Sequence, residues 1–343
     1  MAQSLKEIRV GLLAYGAIGD EHNRAIGATE GLTLVAVADT NPDRLAAAQL
    51  IAPGVTTFTD STQMLDSGLL DLVVISTPPN SHYMWAKESL NRGINVILEK
   101  PMALSVEHCD ELMALAASKN LLLVVYQNRR FDADFVTMKQ LIDDGAIGEV
   151  FSYESFVGGY SKPCSFWHSM EDVSGGAIFD WGSHFIDQIL AALPGQVDSV
   201  TGVNQKRLWN HVTNADHADV SIAFSDGVRA TFTNSDLAAA RKPKFYILGT
   251  TGAIIGNWDP AAGSAPADLP AILTLHRADG SSEIVPNATV APYSFHKSVV
   301  EYLSHGTPMS VTTQQSRDVV AIMQAAEESA RANGRSVTPV LIR

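Results

Sequence analysis

Over roughly the first 125 residues, short apolar runs alternate with amphipathic stretches, the rhythm of βαβ units. Ile8–Ala14, Leu32–Ala38, Leu72–Ser76, Asn95–Leu98 and Leu121–Tyr126 are rich in Val, Ile and Leu and hardly alternate. Strands buried on both faces have this character. The stretches between them predict helices. Asn41–Ile51 opens with Asn41 as N-cap and Pro42 at the first helical position. Ser105–Ser118 opens Ser-Val-Glu-His, and Asn80–Asn91 follows a Pro-Pro pair. Right-handed crossovers then give a doubly wound parallel sheet.

After Tyr126 the pattern changes. A helix is predicted over Asp132–Asp144, ending at Gly145, and a strand over Glu149–Phe156. A Gly- and Pro-containing loop, Gly158–Met170, leads into a helix around Asp180 and His184. Strands follow at Val197–Arg207, Ala218–Phe224, Arg229–Asn234, Lys244–Leu248 and Ile272–His276. Several alternate polar with apolar, and Ser225-Asp226-Gly227 reads as a hairpin turn. These features describe an open, mostly antiparallel sheet with one face toward solvent or a partner. Asp259–Pro270 reads as a loop, and helices at Tyr293–Ser304 and Thr313–Asn333 close the chain. The fold class is therefore α/β in two domains, a dinucleotide-binding domain over 1–126 and a substrate-binding and assembly domain over 127–343. The outer sheet face of the second predicts a homodimer or homotetramer.

The chain has 343 residues, enough for two cores, and a net charge of −13. That balance argues against nucleic acid or an anionic membrane as the main partner. It does not exclude an anionic cofactor, because a helix N-terminus holds phosphate whatever the global charge. Cys109 and Cys164 are the only cysteines. They form no metal-ligand spacing and read as reduced thiols, so no metal is expected. The N-terminus has no apolar export segment, and no apolar run approaches the ~18 residues of a membrane span. A cytoplasmic location is the expectation.

The first turn reads Gly11-Leu-Leu-Ala14-Tyr-Gly16-Ala17-Ile18-Gly19. Gly16 and Gly19 fill the second and third glycine positions of a dinucleotide fingerprint, and Ala14 stands where the first belongs. Gly16 would admit the pyrophosphate, while Gly19 would permit close helix–strand packing. Ala14 can take the turn if its φ stays negative. About 20 residues beyond Gly19, Asp39 ends the second apolar run, where a ribose hydroxyl would be accepted. The alternative is a connecting turn, with Asp39 as an N-cap. An acid at this place favours NAD over NADP, and Arg44, the only local cation, leaves room for NADP. Thr77-Pro78-Pro79-Asn80-Ser81-His82 follows another apolar run, on the edge where open α/β sheets bind ligands. It reads as a rigid loop over ribose and nicotinamide, or as the capped start of the next helix.

Glu99-Lys100-Pro101 closes the run Val96-Ile97-Leu98. In Gly175-Gly176-Ala-Ile-Phe-Asp180-Trp-Gly182-Ser-His184-Phe-Ile-Asp187, a spacing of four stacks Asp180 and His184 on one helix face. Taken singly, this is a surface pair and Lys100 a strand-end lysine. Phe179, Trp181, Phe185 and Ile186 around the pair argue instead for a partly buried helix. Oxidising an alcohol needs a base for the hydroxyl proton, which an imidazole supplies near neutral pH. A lysine can stabilise the developing alkoxide. In the loop before this helix, Tyr160, Trp167 and His168 could line a substrate pocket by stacking and hydrogen bonding, or seal a core or an interface. Arg129 and Arg130 are candidates for the same cleft, with Arg130 as the substrate-binding one.

Taken in order, Gly16-x-x-Gly19 with Asp39, Thr77-Pro78-x-x-x-His82, Glu99-Lys100-Pro101 and Gly175-Gly176-x-x-x-Asp180-x-Gly182-x-His184-x-x-Asp187 resemble the Gfo/Idh/MocA oxidoreductases, over essentially the whole chain. That family includes glucose-fructose oxidoreductase and inositol dehydrogenases. Gln127-Asn128-Arg129-Arg130-Phe131-Asp132 resembles a branch with scyllo-inositol-type dehydrogenases. The resemblance implies a Rossmann domain, a second α/β domain, and oxidation of a secondary hydroxyl on a sugar or polyol. It implies Lys100, Asp180 and His184 as catalytic residues that also touch substrate. It places the cofactor on Ala14, Gly16, Ala17, Ile18, Gly19, Asp39, Arg44, Thr77, Pro78, Asn80, His82, Glu99 and Lys100. Ala14 departs from the fingerprint, while no catalytic position is lost. A ligand sensor of the same fold, or a glycosidase using NAD transiently, are the rival readings.

Overall fold

The apolar runs of the N-terminal part become a parallel sheet. In the computed structural model, which describes residues 7–262 and 269–342, they are β1 (Ile8–Leu13), β2 (Leu32–Ala38), β3 (Thr56–Phe58), β4 (Leu72–Ile75), β5 (Asn95–Leu98) and β6 (Leu123–Val125). Their order is β3-β2-β1-β4-β5-β6, all parallel, so the order reverses between β1 and β4. Every residue of β4 is buried, as continuous apolar strands require. The connecting helices are α1 (Ala17–Gly27), α2 (Pro42–Ile51), α3 (Ser61–Asp66), α4 (His82–Asn91) and α5 (Val106–Lys119). Asn41 caps α2 by accepting from the Asp43 N–H, and Ser105 caps α5 by accepting from that of His108. The sequence pattern missed β3 and α3. Thr56-Thr57-Phe58 is a partly exposed three-residue edge strand, too short to show a period.

Two compact units divide the chain: Met1–Gln127 with Ala291–Arg317, and Asn128–Val290 with Asp318–Arg343. The stretch 291–317 was expected in the second domain and belongs to the first unit instead. Its helix buries Phe295, Val299 and Val300, and the Gly31 turn after α1 approaches Val300 closely. A pattern read along the chain does not register such a return.

The second unit is built on eight strands: β7 (Val150–Gly158), β8 (Val197–Gln205), β9 (His217–Phe224), β10 (Arg229–Ser235), β11 (Phe245–Gly249), β12 (Gly252–Asn257), β13 (Ile272–Arg277) and β14 (Ser282–Val285). The order is β14-β13-β12-β11-β7-β10-β9-β8. Only β7 and β10 pair in parallel. Registers put Tyr153, Ile247, Ile254 and Leu275 in one buried row. The adjacent row, on the other face, carries Glu154, Tyr246, Ile255, Thr274 and Ile284. The pattern missed β12, whose glycines dilute it, and β14, whose side chains are mostly exposed. Residues 263–268 of the expected Asp259–Pro270 loop lie outside the described residues.

The helices of the chain's later part are α6 (Ala133–Asp143), α7 (Glu171–Ser174), α8 (Ala177–Ala192), α9 (Ser294–His305) and α10 (Thr313–Arg331). Helix α8 packs on the sheet through Phe185, whose ring stacks on Phe232 with centroids 5.4 Å apart. Helix α10 meets β8 at Gly202, whose N–H donates to Ser329 Oγ at 3.0 Å. A Cβ on Gly202 would fall 2.1 Å from the Ala326 carbonyl oxygen. Gly202→Ala therefore forces backbone apart, and should lower unfolding free energy by about 1–3 kcal/mol. Urea denaturation followed by circular dichroism measures this; an unchanged midpoint would contradict the packing.

Candidate active site

The turn after β1 is held by backbone. Ala14 N–H donates to the Ala38 carbonyl at 2.8 Å, and Ser76 Oγ donates to the Ala14 carbonyl at 3.1 Å. Contrary to the expected negative φ, Ala14 sits at φ +72°. It keeps the left-handed backbone that a glycine would normally take, at the cost of a Cβ clash. Gly19 approaches this turn from α1; a Cβ there would lie 3.1 Å from the Ala14 carbonyl oxygen. Gly16, the N-cap of α1, faces open space, with nothing within 4 Å of its would-be Cβ. Next to it are the first-turn amides of α1, including Ala17 and Ile18, which lack intrahelical acceptors. This is the cradle a pyrophosphate needs, so the residues fit a dinucleotide.

Asp39 ends β2 as expected. Its Oδ2 accepts from the Tyr15 N–H at 2.7 Å and its Oδ1 from the Asn41 N–H at 2.8 Å. Arg44 Nη1 stands 3.6 Å from Oδ2. The acid is thus a fixed anion, with an exposed guanidinium beside it. At the end of β4, Ser81 Oγ donates to Thr77 Oγ1 and the Pro78 carbonyl lies equally near, each at 2.8 Å. Asn80 is exposed on this loop.

Two expected cofactor contacts are corrected. His82 is fully buried, with Nδ1 2.7 Å from the Pro101 carbonyl and Nε2 2.8 Å from that of Thr77. Burial pushes its pKa down, against the opposing effect of those carbonyls. It ties two loops together from within and offers no face to a ligand. Glu99 also points inward, its Oε1 3.0 Å from His22 Nε2. Lys100, half-buried, follows at the carboxyl end of β5.

In the second unit, Gly175 and Gly176 open α8 at φ +88° and +105°, a path that side chains disfavour. Helix α8 then presents Asp180, half-buried, and His184, buried, one turn apart. The Trp181 ring lies 5.8 Å from that of His184. Arg129, Asp132, Trp181, His184, Phe185, Gln188 and Lys244 line a small cavity. Arg129 sits over the Trp181 ring at 5.5 Å and donates to Asp132 at 3.4 Å. Burial pushes Asp132 up to about 6, although Arg129 and Lys244 oppose this. Lys244 is itself held by Asp134 at 2.6 Å.

Arg130 was expected on the substrate and is not available to it. It makes a bidentate pair with Asp187 of α8, both bonds 2.6 Å, with both side chains buried. Of the two arginines, Arg129 is the one beside His184. Tyr160 is exposed and meets Trp209 edge-on at 6.3 Å. Trp167 stacks on His168 at 3.6 Å. The sequence reading missed Asp236, just after β10. Its pKa is pushed to about 6 by burial and by the carboxylates of Asp216 and Asp180, with Lys206 opposing. Only its place beside Asp180 marks it, and no sequence motif carries that.

Comparison with known proteins agrees with this arrangement. Residues 8–127 match the oxidoreductase family with an NAD-binding Rossmann fold, and residues 135–255 match the GFO/IDH/MocA C-terminal domain. The chain belongs to the GFO/IDH/MocA oxidoreductase family. The uncharacterized oxidoreductase YdgJ of Escherichia coli is 30% identical across 72% of this chain and 70% of its own. The scyllo-inositol 2-dehydrogenase (NADP(+)) IolW of Bacillus subtilis is 26% identical over 94% of both chains. An NAD-binding protein of Listeria innocua superimposes with a TM-score of 0.85, at 27% identity over 97% of each chain. This GFO/IDH/MocA member is thus an oxidoreductase with an NAD-binding Rossmann fold.

Two expectations follow from the site's framework. Ala14→Gly relieves a left-handed alanine and should stabilise the protein by about 1 kcal/mol, seen as a higher Tm. A lower Tm would mean that the turn is not strained. Asp216 is buried, which would raise its pKa. Hydrogen bonds from the Leu208 N–H, Lys206, and the Arg207 and Trp209 N–H groups outweigh that and hold it at about 2. A carboxyl depressed on folding stabilises above its unfolded pKa near 3.9, and that share is lost as pH falls toward 2. Asp216→Asn should therefore cost about 2 kcal/mol at pH 7, and the gap to wild type should close below pH 3. A gap independent of pH in thermal melts would refute the assignment.

Proposed function

We propose that this chain oxidises a secondary hydroxyl of an inositol-like polyol or a sugar, using NAD in preference to NADP. The observation carrying this reading is the His184–Asp180 pair on α8. Phe179, Phe185, Ile186 and Ile189 of that helix are buried, so a surface ion pair is a poor account of it. When bound, the nicotinamide supplies the hydride acceptor. His184 accepts the hydroxyl proton. Asp180 stabilises the imidazolium so formed or hydrogen-bonds a neighbouring hydroxyl. Lys100 hydrogen-bonds the reacting oxygen and offsets its developing charge. Gly16, Ala17, Ile18 and Gly19 hold the pyrophosphate. Asp39 accepts from the ribose and disfavours a 2′-phosphate. Arg44 beside it is the residue from which NADP use would arise. Tyr160 and Trp167 offer exposed rings for sugar stacking.

Assembly and location belong to the same reading. The outer row of the eight-stranded sheet exposes Tyr246 and Ile284, and Ile272 on the same face is also exposed. Apolar side chains on an open sheet face favour a homodimer or a dimer of dimers built there. Cys109 is free and buried, its thiol pushed up to about 12 by burial, and Cys164 is free and exposed. Reduced thiols fit a cytoplasmic location.

The deciding experiment offers purified protein NAD, then NADP, with a panel of inositols and sugars, and follows absorbance of the reduced cofactor. At least one polyol should be oxidised, faster with NAD. His184→Ala and Lys100→Ala should each lower kcat by about 10²-fold with little change in NAD affinity. Bound NAD without turnover across the panel would overturn the dehydrogenase reading in favour of a ligand sensor.

A further inference from the structure

Behind Lys100 lies a run of buried polar groups that no sequence motif announced. His22, three residues after Gly19 on α1, is fully buried, as is His296 on α9. His22 Nε2 lies 3.0 Å from Glu99 Oε1, and His22 Nδ1 lies 3.0 Å from His296 Nε2. The other oxygen, Glu99 Oε2, accepts from the Lys100 N–H at 3.2 Å. Tyr126 packs over both imidazoles, with ring centroids 4.5 Å from His22 and 5.3 Å from His296. Its hydroxyl donates to Glu21 at 2.8 Å. Three elements of the first unit thus meet in one hydrogen-bonded line: the cofactor helix α1, the end of β5 and α9.

With Glu99 ionised and His22 neutral, donor and acceptor counting gives one direction for this line. An ionised carboxylate only accepts, so His22 Nε2 carries a proton. A neutral His22 then has a bare Nδ1, which must accept, so His296 Nε2 carries a proton too. His296 Nδ1 ends the line as a buried atom with no hydrogen-bond partner among the described residues. Both imidazoles are neutral in this arrangement, consistent with the low affinity of buried His296 for a proton. Adding one proton to the line gives two further self-consistent arrangements: in one, an imidazolium His22 donates to both Glu99 and His296 Nε2, and in the other the proton goes to Glu99. In the latter, Glu99 donates to His22 Nε2, His22 Nδ1–H donates to His296 Nε2, and His296 Nδ1 carries a proton. Every bond in the line has then reversed, and Lys100 N–H faces a neutral carbonyl oxygen instead of a carboxylate.

We propose that His22 and His296 are positioning residues for Lys100: through two hydrogen bonds in series they hold the Glu99 carboxyl in one orientation, and Glu99 anchors the backbone of Lys100. The inference rests on the reading of Lys100 as catalytic, but the array itself can be observed without turnover. Other titratable groups near it are Glu21 and Tyr293 around Tyr126, and Lys100 and His82 in the field of Glu99. None of them replaces His22 as donor to Glu99 Oε1 among the hydrogen bonds of the described residues.

Glu99-Lys100 is the only Glu-Lys step in the sequence, so carbonyl-¹³C glutamate with ¹⁵N lysine marks one amide in the full-length protein. In wild type, imidazole ¹⁵N spectra at neutral pH should show Nε2–H, Nδ1-bare tautomers for His22 and His296, assigned by their loss in single variants. His22→Phe keeps a ring against Tyr126 and removes both bonds. It should move the Lys100 amide resonance and lower kcat more than 10-fold. His22→Gln, which restores a donor toward Glu99, should recover most of each change. Melting curves and NAD titrations identify any variant that fails to fold. An Nδ1–H tautomer at His22, or a Lys100 amide unmoved in folded His22→Phe, would overturn the proposal. If wild type oxidises no polyol, the functional reading fails, while the amide and tautomer results still decide whether the array holds Lys100.

Discussion

A buried carboxylate must be answered by donors, and that requirement organises both units of this protein. Asp39 is answered by two backbone amides, Glu99 by an imidazole and an amide, Asp187 by a guanidinium and Asp134 by a lysine. Each arrangement fixes a segment that carries candidate chemistry. Asp39 binds the turn of Ala14 and Gly16 to the end of β2. Glu99 binds Lys100 to α1. Asp187 binds α8, with Asp180 and His184 on it, to the stretch before α6. Removing one partner of such a pair leaves an uncompensated charge, which costs about 3–5 kcal/mol. These pairs therefore specify one arrangement of the site even where their net contribution to stability is small.

What was legible in the sequence follows from how local each signal is. The doubly wound sheet could be read because strands buried on both faces are written as unbroken apolar runs, and Asn41 and Ser105 are caps that act within a few residues. The placing of Gly16, Gly19 and Asp39 was equally legible, since a strand–turn–helix sets it. The sign of φ at Ala14 was not, because an alanine there gives no hint of left-handed backbone. Short or glycine-diluted strands such as β3 and β12 lack the length for a period to emerge.

The misplaced side chains share a different cause. Arg129 and Arg130 are adjacent in a turn, and which of them lies beside His184 depends on Asp187, a distant residue on another helix. His82 and Glu99 lie where ligand-facing residues are expected, yet both point inward toward partners that sequence spacing cannot reveal. Stretch 291–317 was missed for the same reason, as His296 and Val300 are meaningful only after the chain has returned to α1. Side-chain direction at a strand or helix end is a tertiary property, even where the residue's position is local.

The two proton-handling sets are built differently, and the difference bears on their chemistry. His184 and Asp180 share an apolar helix with a cavity of mixed charge beside it, where Asp132 and nearby Asp236 both hold protons more tightly than ordinary carboxyls. Groups of that kind ionise close to neutrality, so the surroundings of His184, the base we propose, change across the neutral pH range. On the side of Lys100, by contrast, two buried imidazoles in line hold one carboxyl in place. A base has to gain and lose a proton at every turnover, whereas an alkoxide-stabilising cation must hold its place throughout. On the roles proposed for them, the adjustable surroundings fall to the histidine and the rigid ones to the lysine.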